Sequence, residues 1–270
     1  MLSLRVFTRI FALGRGLCPV QTSKRSLKIL FVVAGALLLC APAITQSEQQ
    51  TTAASNESDE LSVPLYTPPK NVIPRARVGG EMRGTGGSEP EVQALVPDHV
   101  GMTTSRTPAL NWFLSKPTTH EIRFTLVDNR LIRPLHETSL PKPKQAGIQK
   151  ISLKDLGVVL DPNVQYRWYV SVVRNPDSPS QDIVAGGIIE RCELSECVTV
   201  MDARLTCSKQ AVIDNARAGF WYDAMGCLCD LINAEPLDTH LRRLRAALLK
   251  QVGLNGVADW DLRAIQSSLR

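Results

Sequence analysis

The period of the hydrophobic pattern changes at Cys192, and this change divides the chain into two kinds of structure. Between Gln93 and Cys192, short segments rich in β-branched and aromatic residues are separated by Pro, Gly, Asn and Asp. After Cys192, apolar residues recur with the helical period of about 3.6. The sequence therefore predicts a β domain over residues 92–192 and an α-helical tail over residues 193–270.

Seven segments of the first part are predicted strands. Ile122 and Phe124 alternate with Arg123, as expected of a half-buried strand, and Tyr166 and Trp168 share a face in the same way. The predicted strands are 93–96, 109–115, 121–128, 135–140, 147–153, 165–174 and 183–191. This number of strands in about 100 residues predicts an antiparallel β-sandwich of immunoglobulin or fibronectin type, with a small barrel as the alternative.

Glycine and proline divide the helical tail. A first helix is predicted over about 198–218, a second carries Trp221 and ends at Pro236, and a third is capped by Asp238 and ends at Gly253. This helical hairpin resembles one tetratricopeptide-like unit, which needs about three copies to stand alone. Because its apolar stripes are too large to be left in water, we expect the tail to pack on the sandwich.

The N-terminus combines positive charge with a short apolar block, residues 29–39. Ala41 and Ala43 follow in the spacing of an A-x-A cleavage site. The block is short for a membrane span, which needs about 20 apolar residues. We therefore predict a signal peptide over residues 1–43 and a protein exported to the periplasm or the extracellular space. An uncleaved N-terminal anchor is the first alternative, and a mitochondrial transit peptide is the second.

The formal net charge of +5 is a property of this N-terminal region. Residues 1–43 contain no acidic residue, and the charge becomes −1 without their six cations. These cations are Arg5, Arg9, Arg15, Lys24, Arg25 and Lys28. The remaining chain has no basic excess, so we expect no nucleic-acid partner and membrane contact only through an uncleaved N-terminal segment.

Residues 44–91 are rich in Gln, Ser, Thr, Glu, Pro and Gly and contain few large apolar residues. Such a composition buries too little apolar surface to offset its conformational entropy, so we predict a disordered linker. The glycine cluster in this segment is not a phosphate-binding loop. No Lys-Ser or Lys-Thr pair follows it in the required frame, and Glu89 occupies the position of the third glycine of a G-x-G-x-x-G motif.

Five cysteines lie beyond the targeting region, which holds Cys18 and Cys40. They are Cys192, Cys197, Cys207, Cys227 and Cys229. In an oxidising compartment, we expect a disulfide between Cys192 and either Cys197 or Cys207, because each of these bonds closes a short loop of the chain. The alternative is that the thiols are small buried hydrophobic groups. The spacing lacks the paired C-x-x-C of a zinc site, so no metal and no other cofactor is expected.

The sequence contains no recognisable catalytic set. The four histidines lie far apart, and Asp98 and His99 are not accompanied by a nucleophile-elbow motif around Ser105. Trp112, Tyr166, Trp168 and Tyr169 form a sugar-stacking surface only if they are exposed. Alternation instead places Tyr166 and Trp168 on one face with Val170, in the sandwich core, and Trp221 is expected to cover the sheet or a neighbouring helix. The predicted structural core residues are Trp112, Tyr166, Trp168 and Trp221.

Several short motifs in a fixed order resemble the cyanobacterial domain-of-unknown-function 928 family. The matching stretches, over roughly residues 70–260, are Pro74-Arg75, Gly79-Gly80, Arg83-Gly84, Ala94-Leu95-Val96-Pro97, Thr103-Thr104-Ser105, Pro108, Trp112-Phe113, Tyr166-Arg167-Trp168, Ala218-Gly219-Phe220-Trp221-Tyr222-Asp223-Ala224, Leu248-Leu249 and Val252-Gly253-Leu254. The resemblance implies export and the two-part layout, and it transfers no catalytic residue. The cysteine-rich segment 192–229 departs from the family pattern.

These observations lead to three functional hypotheses. The first is a non-enzymatic module of the cell envelope that binds another envelope protein. The second is a carbohydrate-binding or cell-wall-binding module, and the third is a secreted enzyme whose site has no recognisable motif. Because a fold alone does not define a function, the three hypotheses differ in the surface that the structure should expose.

Overall fold

Eight strands form two sheets in the computed structural model, which describes residues 63–70, 76–79, 89–193 and 206–268. The strands are β1 (Val92–Ala94), β2 (Gly101–Thr103), β3 (Ala109–Leu114), β4 (Glu121–Asp128), β5 (His136–Leu140), β6 (Gly147–Ser152), β7 (Gln165–Val173) and β8 (Ile183–Arg191). The bounds of β4 and β8 are those predicted from the sequence, because both strands carry a long and regular pattern.

The strand order is β2-β8-β7-β4-β5 in one sheet and β1-β3-β6 in the other. All pairings are antiparallel except that of β2 with β8, which is parallel and aligns Gly101 with Ile189. Strand β2 was not predicted, because three residues are too few to establish a period of two. The inner side chains of both sheets contribute to one hydrophobic core.

Four helices follow the sheets within the described residues. They are α1 (Lys209–Arg217), α2 (Trp221–Ala234), α3 (Thr239–Gln251) and α4 (Asn255–Ser268). Ser208 caps α1 and Asp238 caps α3, whereas Gly219 and Gly253 adopt positive φ angles of 86° and 75° between successive helices. None of these helices is long and apolar enough to cross a membrane. The architecture of the described chain is therefore β + α.

Helix α4 was not predicted from the sequence, and helix α1 starts later than predicted. Helix α4 was missed because Asp261, which is fully buried, interrupts the apolar stripe formed by Val257, Ala258 and Ile265. Helix α1 begins at Lys209, and residues 198–205 of its predicted range lie outside the described residues. The predicted signal peptide, residues 1–43, also lies outside them.

The helices pack on the sheets through buried aromatic residues. Trp112, Tyr166, Trp168 and Trp221 are exposed by 2%, 1%, 0% and 0%, so all four are core residues. The indole nitrogen of Trp168 donates to the Tyr222 hydroxyl at 2.8 Å, and that of Trp221 donates to the Leu95 carbonyl oxygen at 2.8 Å. These bonds satisfy polar groups that would otherwise be costly to bury, and they connect α2 with both sheets.

Part of the predicted linker is ordered and packs on the helices, and we call residues 63–70 the strap. The Tyr66 amide donates to the Gln251 side-chain oxygen at 2.8 Å, and the Gln251 side-chain nitrogen donates to the Pro64 carbonyl oxygen at 2.8 Å. Further along, Val78 forms a bridge with Gly186 of β8. The prediction of disorder over residues 44–91 is therefore wrong for 63–70 and 76–79. Apolar residues such as Tyr66, exposed by 6%, gain enough from burial to hold the strap on the helices.

Glycine at position 101 permits the contact between β2 and α2. A Cβ atom at Gly101 would lie 2.6 Å from Cε2 of the Tyr222 ring, which its hydroxyl bonds to Trp168 and Ile188 hold in place. Gly101→Ala is expected to lower the free energy of unfolding by about 1–3 kcal/mol, measured by urea denaturation. In the matched variant Gly226→Ala, the new Cβ atom lies 3.7 Å from Ala109.

Because Gly226 lies in a helix, its replacement by alanine is expected to be neutral or stabilising by up to about 1 kcal/mol. Equal losses of stability in the two variants would contradict the role assigned to Gly101.

Candidate functional site

A polar cavity of about 560 Å³ lies between the start of β6 and the C-terminal helices. The residues preceding and opening β6 supply one wall, the end of α2 supplies a second, and α3 and α4 supply the rest. Its principal lining residues are Lys144, Gln145, Gln149, Asn233, Arg242 and Trp260. We call this cavity the β6–α4 groove. Its lining combines cations, amides and one indole ring.

The first residue of β6 sets the width of the groove. Gly147 has a φ of 131°, a conformation that a residue with a side chain rarely adopts. A Cβ atom there would lie 3.0 Å from the Trp260 ring, which also packs edge-on against Phe113 with 5.2 Å between the ring centroids. Glycine therefore lets the β6 backbone approach Trp260 and keeps the indole ring at the wall of the cavity.

A buried ion cluster supports the floor of the groove. Nε and Nη2 of Arg245 donate to the two carboxylate oxygens of Asp261 at 2.7 and 2.8 Å, and Nη1 of Arg242 lies 3.2 Å from the same carboxylate. The Arg245 and Asp261 side chains are exposed by 4% and 0%, whereas Arg242 is exposed by 21%. One carboxylate is thus shared by two guanidinium groups, which leaves positive charge at the groove.

The cluster also contains the thiol of Cys229, which is 3.5 Å from Nη1 of Arg245. Burial raises the pKa of the Cys229 thiol, and the nearby guanidinium opposes this only in part. Burial also opposes the charge of Arg245, but the hydrogen bonds and the negative charge of Asp261 hold the pKa of the guanidinium above its ordinary value. The thiol is therefore protonated and unreactive at neutral pH, and Arg245 remains a cation.

The observed disulfide differs from the predicted bond between Cys192 and Cys207. Cys207 is bonded to Cys227, with 5.3 Å between their Cα atoms, so the Cys192–Cys207 pairing is wrong. Helix α1 brings Cys207 to α2 because it packs against that helix, which sequence spacing does not reveal. Cys192 is itself disulfide-bonded, and Cys197 lies outside the described residues. Cys229 is a free, buried thiol.

Two of the polar residues considered as catalytic candidates, His99 and Ser105, have structural partners. The two ring nitrogens of His99 lie 3.3 Å from the Tyr66 hydroxyl and 2.8 Å from the Val100 carbonyl oxygen. The Ser105 hydroxyl accepts a hydrogen bond from the Thr107 amide at 3.2 Å. His99 is thus turned toward neither Asp98 nor Ser105. Across the described ranges, no group of three or more His, Cys, Asp or Glu residues is placed to hold a metal ion.

A second surface stands out at the loop between β4 and β5, residues 129–135, which we call the β4–β5 tip. Leu131, Ile132 and Leu135 are exposed by 50%, 103% and 43%, although they are large aliphatic residues. These three residues lie in one loop of seven residues, so exposed apolar surface is concentrated there. The run Leu-Ile-Arg-Pro-Leu carries this signal in the sequence, but only Leu135 belongs to a predicted strand, and residues 131–134 belong to no predicted element.

The base of the β4–β5 tip is held by a buried carboxylate. Nε and Nη2 of Arg130 donate to Asp128 at distances between 2.7 and 3.1 Å, and the Asp128 side chain is exposed by only 4%. The hydrogen bonds from Arg130 hold the pKa of the Asp128 carboxyl below its ordinary value despite its burial. The Leu131 amide also donates to the Asp128 carbonyl oxygen at 2.9 Å. The tip is therefore shaped in advance of any partner.

Two sheets covered by a C-terminal set of helices, with a cationic groove between the sheets and the helices, define a β + α protein. The family model described as Domain of Unknown Function (DUF928) matches residues 78–262, and the chain belongs to this family. The match confirms the resemblance predicted from the sequence and includes both sheets and most of the helical region. No curated protein matches the chain.

Proposed function

We propose that this protein is an exported, non-enzymatic module of the cell envelope that binds another protein through the β4–β5 tip. The observation that carries the proposal is the full exposure of Ile132 between the exposed Leu131 and Leu135. Burying these side chains in a partner would gain about 25 cal/mol for each Å² of apolar surface removed from water. A rigid base reduces the entropy lost on binding.

The chemistry of the tip defines the partner as a protein with an apolar pocket and an acidic rim. Arg133 is exposed between the aliphatic residues and complements carboxylates, whereas the charge of Arg130 is already paired with Asp128 and Asp161. The neighbouring strand β5 lies at the edge of its sheet and offers backbone groups to an extended segment. A lipid surface cannot pair with the backbone groups of an edge strand, and the tip lacks the Trp and Tyr anchors typical of membrane interfaces.

The disulfide supports the proposal of export. A bond between Cys207 and Cys227 persists in the periplasm or extracellular space and is rare in a reducing cytosol. The acid-free N-terminus with its apolar block supports the same compartment.

The groove lining supports the non-enzymatic part of the proposal. Among the described residues that line it there is no carboxylate, imidazole or thiol. These are the groups that most often act as a general base or a nucleophile.

The finer fold assignments also belong to the proposal. Two mostly antiparallel sheets with a shared core support an immunoglobulin-like sandwich. Two successive helix pairs, α1 with α2 and α3 with α4, support a tetratricopeptide-like arrangement. A solved relative with the same strand order and helix pairing would test both assignments.

The β4–β5 tip can be tested by site-specific crosslinking followed by a direct binding measurement. A photoreactive amino acid at position 132 is expected to capture an envelope protein that mass spectrometry identifies, and the purified pair is then studied by calorimetry. Ile132→Ser is expected to weaken binding at least about ten-fold, because it removes the central aliphatic contact. Its free energy of unfolding should change by less than about 0.5 kcal/mol, since the side chain is fully exposed.

Leu237→Ser provides the matched control, because Leu237 is an aliphatic residue exposed by 83% in the connection between α2 and α3. It should bind the partner as the unmodified protein does. Equal weakening by the two variants would contradict the proposal. So would binding to phosphatidylglycerol vesicles that depends on Ile132, because that result would assign the tip to lipid.

A further inference from the structure

The β6–α4 groove has more positive charge than its surroundings neutralise. Arg242 and Arg245 share the carboxylate of Asp261, and Lys144 on the opposite wall forms no ion pair among the described residues. Arg242 uses Nη1 for Asp261 and remains partly exposed at the cavity. Arginine and lysine facing one cavity from two sides form a site for a carboxylate or another small anion.

The other residues that line the groove determine which kind of anion it can bind. Gln145 and Asn233 present amides that can donate and accept hydrogen bonds, and Trp260 presents an indole ring. The Gln149 side-chain nitrogen donates to the Gln145 and Gly147 carbonyl oxygens at 3.5 and 3.4 Å, so Gln149 offers its amide oxygen as an acceptor. Amide groups match the hydroxyl groups of a sugar, and an indole ring matches its apolar C–H surface. Inorganic phosphate would use the cations but would leave the amides and the indole ring without partners.

The volume of the groove fits a ligand of this kind. Small-molecule sites occupy about 300–1,000 Å³ and combine an apolar wall with a few placed polar groups. The groove, at about 560 Å³, lies within this range. It is built in part on regular elements, since Arg242 and Trp260 lie on α3 and α4 and Gln149 lies on β6, whereas Lys144 and Gln145 lie in the loop that precedes β6. Groups on rigid elements lose little entropy when they bind a ligand.

We infer that the β6–α4 groove binds an acidic saccharide. Arg242 and Lys144 hold the carboxylate of a uronic-acid residue, the three amides bind hydroxyl groups, and the sugar ring packs against Trp260. This site is separate from the β4–β5 tip, and its occupancy does not require a protein partner. The proposed module thus has one surface for a protein and one for a charged glycan.

Calorimetry of the full chain with an oligomer of galacturonic acid tests this inference. The matched probes are the neutral galactose oligomer and inorganic phosphate. The uronic-acid oligomer is expected to bind at least about ten-fold more tightly than either, with an affinity that falls as salt is added. Equal affinity for the neutral oligomer would overturn the role of the cations, and equal affinity for phosphate would reduce the groove to a general anion site. Absence of uronic-acid binding would overturn the inference altogether.

Variants locate the binding site. Lys144→Gln and Arg242→Gln are each expected to weaken uronic-acid binding about ten-fold, the effect of losing one charge-assisted hydrogen bond. Arg243→Gln is the matched control, because Arg243 is the neighbouring, exposed residue of the same helix and does not line the groove. Lys144 has no ion pair within the described chain, so its replacement keeps the test valid if Arg242→Gln unfolds the protein. Equal weakening by Arg243→Gln would contradict the site.

Ile132→Ser separates this inference from the proposed function. It is expected to leave uronic-acid binding unchanged, because Ile132 lies in the β4–β5 tip and does not line the groove. Loss of sugar binding in this variant would contradict the separation of the two surfaces.

Discussion

Asp261→Ala is expected to lower the free energy of unfolding by about 3–5 kcal/mol. The Asp261 carboxylate is fully buried and accepts two short hydrogen bonds from Arg245, which is itself buried. Its removal leaves the Arg245 charge in the protein interior without its partner, and the cost of that desolvation exceeds the value of the ion pair itself. Urea denaturation, followed by circular dichroism and tryptophan fluorescence, measures the change.

Two further variants test whether the loss of stability in Asp261→Ala comes from the burial of an unpaired charge. Asp259→Ala removes a carboxylate of the same helix whose pair with Lys250 is 3.6 Å long and about half exposed, so little loss of stability is expected. The double variant Arg245→Met and Asp261→Leu should recover much of the stability, because no fully buried charge remains and Arg242, exposed by 21%, keeps contact with water. A loss in Asp261→Ala no larger than that in Asp259→Ala would contradict the buried cluster.

Removal of the Cys207–Cys227 disulfide is expected to lower the free energy of unfolding by about 3 kcal/mol. The bond closes a loop with a sequence separation of 20 residues, and its loss raises the conformational entropy of the unfolded chain. The paired replacement Cys207→Ser and Cys227→Ser, studied without reductant, isolates this bond from the one at Cys192. The measurement is the shift in the midpoint of urea denaturation, with the slope of the unfolding free energy against urea concentration unchanged.

Thiol alkylation provides the control for the disulfide prediction. Cys229 is free but buried, so it should react only after denaturation, whereas Cys207 and Cys227 should not react until a reductant is added. Rapid alkylation of Cys207 in the native, unreduced protein would contradict the pairing. Unchanged stability of the serine variant would show that the bond does not restrain the unfolded chain.

The strands were the most predictable part of the fold. Strand β4 alternates buried and half-buried residues along its full length from Glu121 to Asp128, and β7 follows a similar pattern, so local sequence carries their structure. Strand β2 could not be predicted because its three residues are held by parallel pairing with β8, a contact distant in sequence. The strap around Tyr66 was hidden for the same reason, since its partners Gln251 and Trp221 lie far along the chain.

The candidate sites were less predictable than the fold. No sequence signal marks Asp261 as buried, because a single acidic residue in a helix is most often exposed, and only the position of Arg245 on α3 explains its burial. Lys144 and Arg242 belong to segments that are distant in sequence, and no motif connects them. The exposed aliphatic residues of the β4–β5 tip could not be distinguished from core residues, because hydrophobicity predicts burial and not its absence.

The sequence by itself determined the period of each segment, and therefore the division into a β part and a helical part at Cys192. It did so because alternation and the helical period are properties of neighbouring residues. The tertiary structure alone decided which cysteines pair, which charge is buried, and which apolar side chains remain in water. These outcomes depend on distances between segments far apart in the chain, such as Arg245 with Asp261 across α3 and α4, and packing sets those distances.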